Sequence, residues 1–466
     1  MVFSTPIFLF LFLPAVLTLY YAFYRAGRMY HNVVLFSASI LFYAWGEPVV
    51  VFLMLLSIMV NWGIGLLIHR PSGIIRGKIA VALAVIYNMG ILFVFKYLVF
   101  ALANLGLLFN TQFAVLHVAL PIGISFYSFQ ALSYVIDIYR GTGATQRDPL
   151  NVGLYIAFFP QLIAGPIVRY ETIAKEILGR RENLDDFSQG VCRFVVGLAK
   201  KLVLANQMAV VADMAFAESG KMSVATAWLG AVAYAFQIYF DFSGYSDMAI
   251  GLGRMFGFHF LENFNHPYVA RSITEFWRRW HISLSTWFRD YVYFPMGGSR
   301  VETKTRLVFN LFVVWMLTGI WHGANWTFVL WGLFYFVLLT AEKLTGYTRR
   351  LGRLGHLYAM LLVLIGWVLF RSTTVSGAMA YLGVMFGFAR APLVDGKFVF
   401  YLLDYKVYFI AAALCSLPLA QLRWAERLKQ SRGGGVLYVL GISLIFLLSV
   451  SFMIKSDYNP FIYFNF

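Results

Sequence analysis

The chain has 466 residues, of which 61% are apolar and 12% charged, and its formal net charge is +16. Soluble domains contain about 45–50% apolar and about 25% charged residues, so this composition excludes an ordinary soluble protein. Nucleic-acid binding needs a basic face on a polar domain, and no polar domain is visible. We therefore interpret the surplus of Lys and Arg as cytoplasmic loops of a membrane protein, which follow the positive-inside rule.

Apolar segments alternate with short basic loops along the whole sequence. The first span is predicted at Ile7–Tyr24 and the last at Val436–Ile454, and Arg423–Arg432 is one of the basic loops between spans. This alternation predicts an all-α polytopic membrane protein with roughly eleven transmembrane helices plus re-entrant and interfacial helices. No internal repeat or flexible linker is visible, which favours a single domain.

One apolar segment, Val152–Ile163, is unusually short for a span, and Pro160 interrupts it. A short segment broken in this way is more typical of a re-entrant hairpin than of a complete crossing. Irregular backbone at membrane depth is tolerated only where it is buried in protein or lines a cavity. We therefore expect this segment to turn back inside the protein.

Two carboxylates, Asp241 and Asp247, follow directly after the apolar segment Val224–Phe240. One interpretation is a capping and turn segment at the membrane interface, and the other is a pore-lining role. An unpaired charge at either place is too costly in free energy. We therefore expect each carboxylate to have a partner.

The stretch Arg271–Tyr291 brings arginines, tryptophans and a histidine into a very hydrophobic chain. If it forms one helix, two indoles and an imidazole share a face at positions i, i+3 and i+4: Trp277, Trp280 and His281. Arg278 and Arg279 then point elsewhere, where they suit phosphate groups or lipid headgroups. The alternative is an amphipathic interfacial helix with snorkelling arginines and belt tryptophans.

A second histidine, His322, stands between the apolar runs Leu307–Ile320 and Thr327–Thr340. An ionisable residue inside a membrane is costly, so it is a functional-site hypothesis by default. The alternation of basic loops places this turn toward the outer half of the membrane. The alternative is a histidine at a helix end that only hydrogen-bonds a neighbour.

Several common catalytic and binding motifs are absent from the sequence. It contains no His-Glu-x-x-His, no phosphate-binding or dinucleotide glycine pattern, and no Gly-x-Ser-x-Gly. Its cysteines, Cys192 and Cys415, form no Cys-x-x-Cys, so we expect no metal site. What remains is a histidine pair, which fits a general base acting on an acceptor hydroxyl. Asn325 or backbone N–H groups would orient that base or stabilise an oxyanion.

A set of motifs resembles the membrane-bound O-acyltransferase family, in the bacterial subgroup typified by the membrane subunit of alginate O-acetylation. In chain order the motifs are A-G-P-I-V-R-Y, Y-F-D-F-S-G-Y-S-D-M-A-I-G, N-F-N-H-P-Y, E-F-W-R-R-W-H-I-S-L-S-T-W-F-R-D-Y, P-M-G-G-S-R and W-H-G-A-N-W-T-F. Each motif alone is weak, whereas together and in this order they are specific. The resemblance covers essentially the whole chain.

The resemblance implies one transmembrane domain over residues 1–466, with a catalytic core at about residues 117–345 and helices around a central funnel. It implies that His322 matches the essential histidine of the family and His281 the second, upstream position. The expected substrate-binding residues are Asn325, Trp277, Arg278, Arg279, Trp280, Asp241 and Tyr245. We expect no tightly bound cofactor.

The function implied is passage of an acetyl group from a cytoplasmic donor, acetyl-CoA, across the inner membrane. The acetyl group would serve O-acetylation of an exopolysaccharide such as alginate or cellulose, usually through periplasmic partner proteins. One alternative keeps the fold and changes the acceptor to a teichoic acid, a protein or a lipid such as a sterol. The other is a non-catalytic transporter in which the same buried Asp, Arg and His residues line a substrate path.

Overall fold

The computed structural model describes residues 1–69, 74–111, 113, 119–218, 221–419, 431–455, 458 and 462. Across these ranges the ordered elements are helices and none is a strand, which confirms the predicted all-α class. Most of the predicted basic loop Arg423–Arg432 lies outside the described residues. Within the described ranges, seven helical segments are long and apolar enough to cross a membrane: Val51–Ile68, Gly77–Phe109, Leu184–Ala217, Trp326–Thr345, Leu354–Arg371, Gly396–Ser416 and Gly433–Lys455. The total of roughly eleven spans stays a prediction.

The chain divides into two compact units, and the first comprises Met1–Phe194 and Ser246–Leu261. Its helices are α1 (Leu13–Ala22), α2 (Arg28–Ala44), α3 (Val51–His69), α4 (Ile74–Leu92), α5 (Leu98–Phe109), α6 (Ile124–Arg140), α7 (Pro149–Ala157), α8 (Phe159–Leu162), α9 (Tyr170–Gly179) and the larger part of α10 (Leu184–Ala199). Short π-helical turns at Phe8–Phe12 and Phe93–Tyr97 precede α1 and α5.

The second unit comprises Val195–Tyr245 and Glu262–Phe466. Its helices are α11 (Asn206–Ala217), α12 (Val224–Met255, which ends in the first unit), α13 (Ile273–Arg279), α14 (Ile282–Phe288), α15 (Lys304–His322), α16 (Trp326–Thr345), α17 (Leu354–Arg371), α18 (Val375–Met385), α19 (Gly396–Ser416) and α20 (Arg432–Lys455). Further π-helical turns lie at Lys200–Ala205, before α11, and at Arg289–Tyr293, after α14.

The proline-broken segment of the first unit has the interruption that its sequence predicts. α7 ends at Ala157, Phe158 has a non-helical ψ of 113°, and α8 then carries Pro160 in its first turn. Proline has no N–H to donate to the preceding turn, and its ring clashes with that turn, so the helix cannot continue through it. The freed backbone N–H of Phe159 donates to the Ser39 hydroxyl at 3.0 Å. That the segment is re-entrant stays a prediction.

In the second unit, α15 and α16 pack closely on either side of a short turn. A Cβ on Gly319 would lie 2.5 Å from the Phe328 carbonyl oxygen, and one on Gly332 would lie 2.6 Å from that of Trp315. Any side chain at these glycines would therefore force the helices apart. Small residues permit this close backbone approach between membrane helices. The packing fixes the turn that follows His322, the last residue of α15.

Candidate active site

The stretch around His281 is two short helices and not the single helix predicted from its spacing. α13 ends at Arg279, and α14 begins at Ile282. Between them Trp280 is extended (φ −102°, ψ 130°) and His281 is left-handed (φ 43°). The prediction that an i, i+3, i+4 helical face aligns the indoles and the imidazole is therefore wrong. A left-handed backbone is unfavourable for residues other than glycine, and such strain often occurs at functional sites.

The backbone of this joint is held by a residue distant in sequence. The Ile282 N–H donates to the Asn263 carbonyl at 2.9 Å instead of to a carbonyl of the preceding helix. The side chain of Asn263 reaches the same place, because its Oδ1 lies 3.1 Å from Nδ1 of His281 and accepts from the Ser283 hydroxyl at 2.9 Å. Asn263 lies in the motif N-F-N-H-P-Y, but no role was predicted for it from the sequence.

His322 ends α15 and packs against aromatic rings. Its ring centroid lies 5.0 Å from that of Trp321, 5.1 Å from that of Trp331 and 5.0 Å from that of Phe370, and the residue is 4% exposed. Gly323 follows, and a Cβ there would lie 2.3 Å from the Phe328 ring. The sequence W-H-G therefore combines a buried imidazole with a residue that must have no side chain.

The two histidines both pack against one indole, that of Trp321. The Trp321 ring centroid is 6.2 Å from that of His281 and 5.0 Å from that of His322. His281 is 2% exposed, so both imidazoles are buried in the second unit. The structure thus brings together the two histidines that were predicted separately.

The other predicted aromatic residues belong to the same core. The Trp277 ring lies 5.4 Å from that of Trp331, and the Trp280 ring lies 4.8 Å from that of Trp367. Trp277 is 9% and Trp280 3% exposed. These two indoles are therefore part of the buried aromatic core next to the histidines and do not form an interfacial belt.

The two adjacent arginines differ in their surroundings. Arg279 forms an ion pair with Glu275 at 2.9 Å and donates to the Asn265 carbonyl at 3.1 Å. Burial raises the pKa of Glu275, but the Arg271 N–H and the Arg279 guanidinium outweigh it and hold this pKa below its usual value. Arg278 is exposed and has no ion pair within the described ranges. Of the two, Arg278 is the guanidinium available to a ligand.

Asn325 uses its side chain to organise the turn after His322. Its Oδ1 caps α16 by accepting from the Thr327 N–H at 3.0 Å, and its Nδ2 donates to the Thr373 carbonyl at 2.8 Å. A capping asparagine satisfies one of the free N–H groups at a helix start. The prediction that this amide orients His322 or stabilises an oxyanion stays a prediction.

Asp241 lies inside α12, so the interpretation of its surroundings as a capping and turn segment is wrong. Its Oδ1 lies 2.6 Å from Nζ of Lys201, with side-chain exposures of 1% and 3%, and its Oδ2 accepts from the Ile462 N–H at 2.9 Å. In the first unit, Asp247 pairs with Arg193 at 2.8 Å. The prediction that both carboxylates have partners is confirmed.

Several known proteins are similar to this chain in sequence. Residues 144–371 match the membrane-bound O-acyltransferase (MBOAT) family. The chain is 39% identical to a probable alginate O-acetylase of Azotobacter vinelandii, over the full length of both. It is 31% identical to a peptidoglycan O-acetyltransferase of Helicobacter pylori, over 100% of this chain and 98% of that one. A teichoic acid D-alanyltransferase of Bacillus subtilis is 31% identical over 47% of this chain and 58% of its own.

The chain belongs to the membrane-bound O-acyltransferase family. It is an O-acyltransferase, and its apolar helices are those of a multi-pass membrane protein. The matched residues 144–371 include both histidines. Within the described ranges of this acyltransferase, no group of three or more His, Cys, Asp or Glu side chains could hold a metal ion.

Glu342 carried no functional prediction, and the predicted role of Tyr245 stays a prediction. Glu342 is a buried residue of α16 whose carboxylate accepts from the N–H groups of Ile273 and Thr274, both at 2.8 Å. Tyr245, predicted to bind substrate, lies one helical turn after Asp241 on α12 and is 1% exposed. Spacing along the chain cannot reveal contacts such as that of Glu342 with α13, because 68 residues separate Glu342 from Thr274.

Proposed function

We propose that this acyltransferase takes an acetyl group from acetyl-CoA on the cytoplasmic side of the inner membrane for O-acetylation of an exopolysaccharide, through periplasmic partner proteins. The observation that carries the proposal is the pair of buried imidazoles that both pack against Trp321. The relatives support polymer acylation, since they include an alginate O-acetylase and a peptidoglycan O-acetyltransferase. Alginate or cellulose is the proposed class of polymer.

In the proposed reaction, His322 is the general base. Its imidazole takes the proton of the acceptor hydroxyl as the hydroxyl oxygen bonds to the acetyl carbon. The carbon–sulfur bond then breaks, and the thiolate of the donor recovers that proton from the imidazolium. Exclusion of water from a ring that is 4% exposed favours the hydroxyl over water as nucleophile. Since aromatic rings pack against His322, we infer that substrate entry displaces at least one of them.

The donor is proposed to approach beside α13. The exposed guanidinium of Arg278 suits the phosphate groups of a CoA thioester, because planar guanidinium groups bind phosphate oxygens in pairs. The acceptor is proposed to approach from the outer side, where the alternation of basic loops places the turn after His322. Both proposals give the two substrates separate routes to one imidazole.

The decisive experiment is thioester cleavage by purified full-length protein in proteoliposomes with acetyl-CoA and an alginate or cellulose oligosaccharide as the hydroxyl acceptor. We expect wild type to cleave the thioester and His322→Ala to lose at least about 100-fold in rate, as for loss of a general base. His356→Ala is the matched control, because His356 is an exposed histidine of the same unit. A wild-type protein that neither binds nor cleaves acetyl-CoA overturns the proposal.

A different acceptor is the second candidate, because the teichoic acid D-alanyltransferase of Bacillus subtilis is 31% identical over 47% of this chain. The same preparation distinguishes the two. Cleavage of an acyl group carried on a carrier-protein thioester, with no reaction of acetyl-CoA, would favour the teichoic-acid class. Solute movement across the liposome that persists in His322→Ala would favour a transporter.

A further inference from the structure

We propose that Asn263 fixes the tautomer of His281, so that Nε2 of His281 accepts a hydrogen bond from an O–H or N–H group of the bound substrate. His281 is then a positioning acceptor beside the base His322, and it does not donate to the oxyanion. The inference rests on the proposed function for the identity of the substrates. The tautomer itself follows from the hydrogen bonds around Asn263.

The first step identifies the oxygen of the Asn263 amide. A backbone N–H can only donate, and that of Ser283 lies 3.1 Å from Oδ1 of Asn263. The atom of the Asn263 amide that faces the Ser283 N–H is therefore its oxygen. The amide nitrogen is also a donor, so it could not accept this hydrogen bond. Such a network is the physical basis for assigning an asparagine amide. The Ser283 hydroxyl donates to the same oxygen at 2.9 Å.

The second step assigns the proton of His281. Its Nδ1 lies 3.1 Å from the same amide oxygen, which is an acceptor only. The Ser283 hydroxyl also lies 3.4 Å from Nδ1, but its proton goes to the amide oxygen at the shorter distance of 2.9 Å. Nδ1 therefore carries the hydrogen of a neutral imidazole, and Nε2 carries the lone pair. The partner is a neutral amide and not a carboxylate, so nothing in this hydrogen bond requires the ring to be charged.

The third step concerns the nitrogen that remains. Nε2 of His281 is buried and has no hydrogen-bond partner among the residues that the structure describes. A buried polar atom without a partner is costly in free energy, so a folded protein rarely keeps one without a reason. The same residue, Asn263, also holds the strained backbone at this position through the Ile282 N–H. Asn263 thus holds both the imidazole of His281 and the backbone next to it.

The consequence is a division of roles between the two imidazoles. A donor to the developing oxyanion needs an N–H at the nitrogen that faces the substrate. His281 presents a lone pair there, so oxyanion stabilisation must come from other groups. The matching substrate group is a neutral hydrogen-bond donor. It is either a second hydroxyl of the acceptor, next to the reacting one, or the amide N–H of the pantetheine arm of the donor.

The test reads the tautomer directly by nitrogen NMR of full-length protein in lipid. The sequence contains a single His-Ile step, His281–Ile282, so uniformly ¹³C,¹⁵N-labelled His with ¹⁵N-labelled Ile assigns the ring nitrogens of His281 without a variant. We expect a protonated Nδ1 and an unprotonated Nε2 in wild type. A ring protonated at Nε2, alone or with Nδ1, overturns the inference whatever the activity.

Kinetics of matched variants test the positioning role. Asn263→Ala should mix the tautomers and raise the KM of one substrate by about tenfold, the equivalent of one hydrogen bond. Asn263→Asp puts a carboxylate beside Nδ1, which favours a ring protonated at both nitrogens; it should therefore also raise the KM, because Nε2 then donates instead of accepting. Asn265→Ala, with an exposed asparagine in the same loop, should change neither. A raised KM for acetyl-CoA identifies the amide N–H, and a raised KM for the acceptor identifies the hydroxyl.

The outcomes separate this inference from the proposed function. Wild type that cleaves acetyl-CoA with His281 protonated at Nε2 leaves the function standing and removes the inference. Wild type that cleaves nothing removes the function, while the NMR result still decides the tautomer. If Asn263→Ala does not fold, the wild-type spectrum and the Asn263→Asp variant decide alone. Unchanged KM values in a folded Asn263→Ala variant with mixed tautomers would overturn the positioning role.

Discussion

The carboxylate of Glu342 accepts a hydrogen bond of 2.8 Å from the backbone N–H of Ile273, the first residue of α13. Its second oxygen accepts from the N–H and the hydroxyl of Thr274 at 2.8 and 2.6 Å. Free N–H groups and the positive end of the helix dipole make a helix start a good site for a carboxylate. One buried residue of α16 thus fixes the start of the helix that leads to His281.

Replacing Glu342 is predicted to loosen α13. Glu342→Ala leaves these buried donors without their acceptor, which should cost about 1–3 kcal/mol in unfolding free energy. The rate of thioester cleavage should fall with it, because His281 follows the end of α13 by two residues. Thermal unfolding and rates of purified protein measure both effects. Glu342→Gln keeps one acceptor oxygen, so its unfolding free energy and its rate should fall less than those of Glu342→Ala. Equal stability of wild type and Glu342→Ala would contradict the prediction.

Arg278 and Arg279 are predicted to have separable effects, although they are adjacent. Arg278→Gln should raise the KM for acetyl-CoA by about tenfold, because charge-assisted hydrogen bonds to phosphate are strong, and should leave stability unchanged. Arg279→Gln removes the ion pair with Glu275 and should mainly lower the melting temperature. Donor-dependent rates at two salt concentrations are the measurement. A donor KM that responds only to Arg279→Gln would reverse the assignment.

The sequence predicted the membrane class, the broken segment at Pro160 and the two histidines, because each depends on local chemistry. Hydropathy indicates the membrane class, and the missing N–H of proline explains the broken segment. An imidazole between apolar runs is costly enough to be conspicuous by itself. These features need no knowledge of what lies across the molecule.

The joint at His281 and the partners of the histidine could not be predicted in the same way. The stretch Arg271–Tyr291 contains no glycine or proline, so its spacing favours a continuous helix. The break depends on Asn263, which lies 18 residues before His281. Likewise, a 40-residue separation hides the pairing of Lys201 with Asp241 among many possible charge pairs.

Removing the charge of one partner from the pair of Lys201 and Asp241 is predicted to lower the unfolding free energy strongly. Both side chains are at most 3% exposed, so Asp241→Asn leaves a buried ammonium without its counter-charge. Breaking a buried pair in this way costs about 3–5 kcal/mol. Asp247→Asn is the matched control, because its pair with Arg193 has side-chain exposures of 14% and 23% and should cost less. Thermal unfolding in detergent measures both, and equal losses would contradict the role of burial.

Titration of Glu182, in the first unit, should change the unfolding free energy measurably. Burial raises the pKa of Glu182, but hydrogen bonds from Arg28 and Tyr20 outweigh it and lower this pKa to about 2. A depressed pKa contributes stability that is complete above the unfolded value of about 4.5 and is lost as the pH falls toward 2. Between pH 6 and pH 3 the free energy of unfolding should fall by about 2 kcal/mol. Unfolding between pH 6 and pH 3 should therefore depend more on pH in wild type than in Glu182→Gln; parallel curves would contradict this prediction.

The last prediction concerns Gly323, the residue that follows His322. A Cβ at this position would lie 2.3 Å from the Phe328 ring, so Gly323→Ala must displace that ring. The Phe328 ring packs at 5.1 Å against that of Phe370, which in turn lies 5.0 Å from the imidazole. The displacement should therefore reach the general base and lower the rate of acetyl transfer by about tenfold or more, because small misplacements of catalytic groups are costly.

Gly383→Ala is the matched control for Gly323→Ala, since no atom lies within 4 Å of a Cβ at Gly383 and both glycines are in the second unit. Phe328→Leu combined with Gly323→Ala should recover part of the rate, because the smaller side chain makes room for the added methyl group. Rates of acetyl transfer measured for the single and double variants give the coupling between the two positions. Additive effects would show that the turn acts on His322 by a route other than the Phe328 ring.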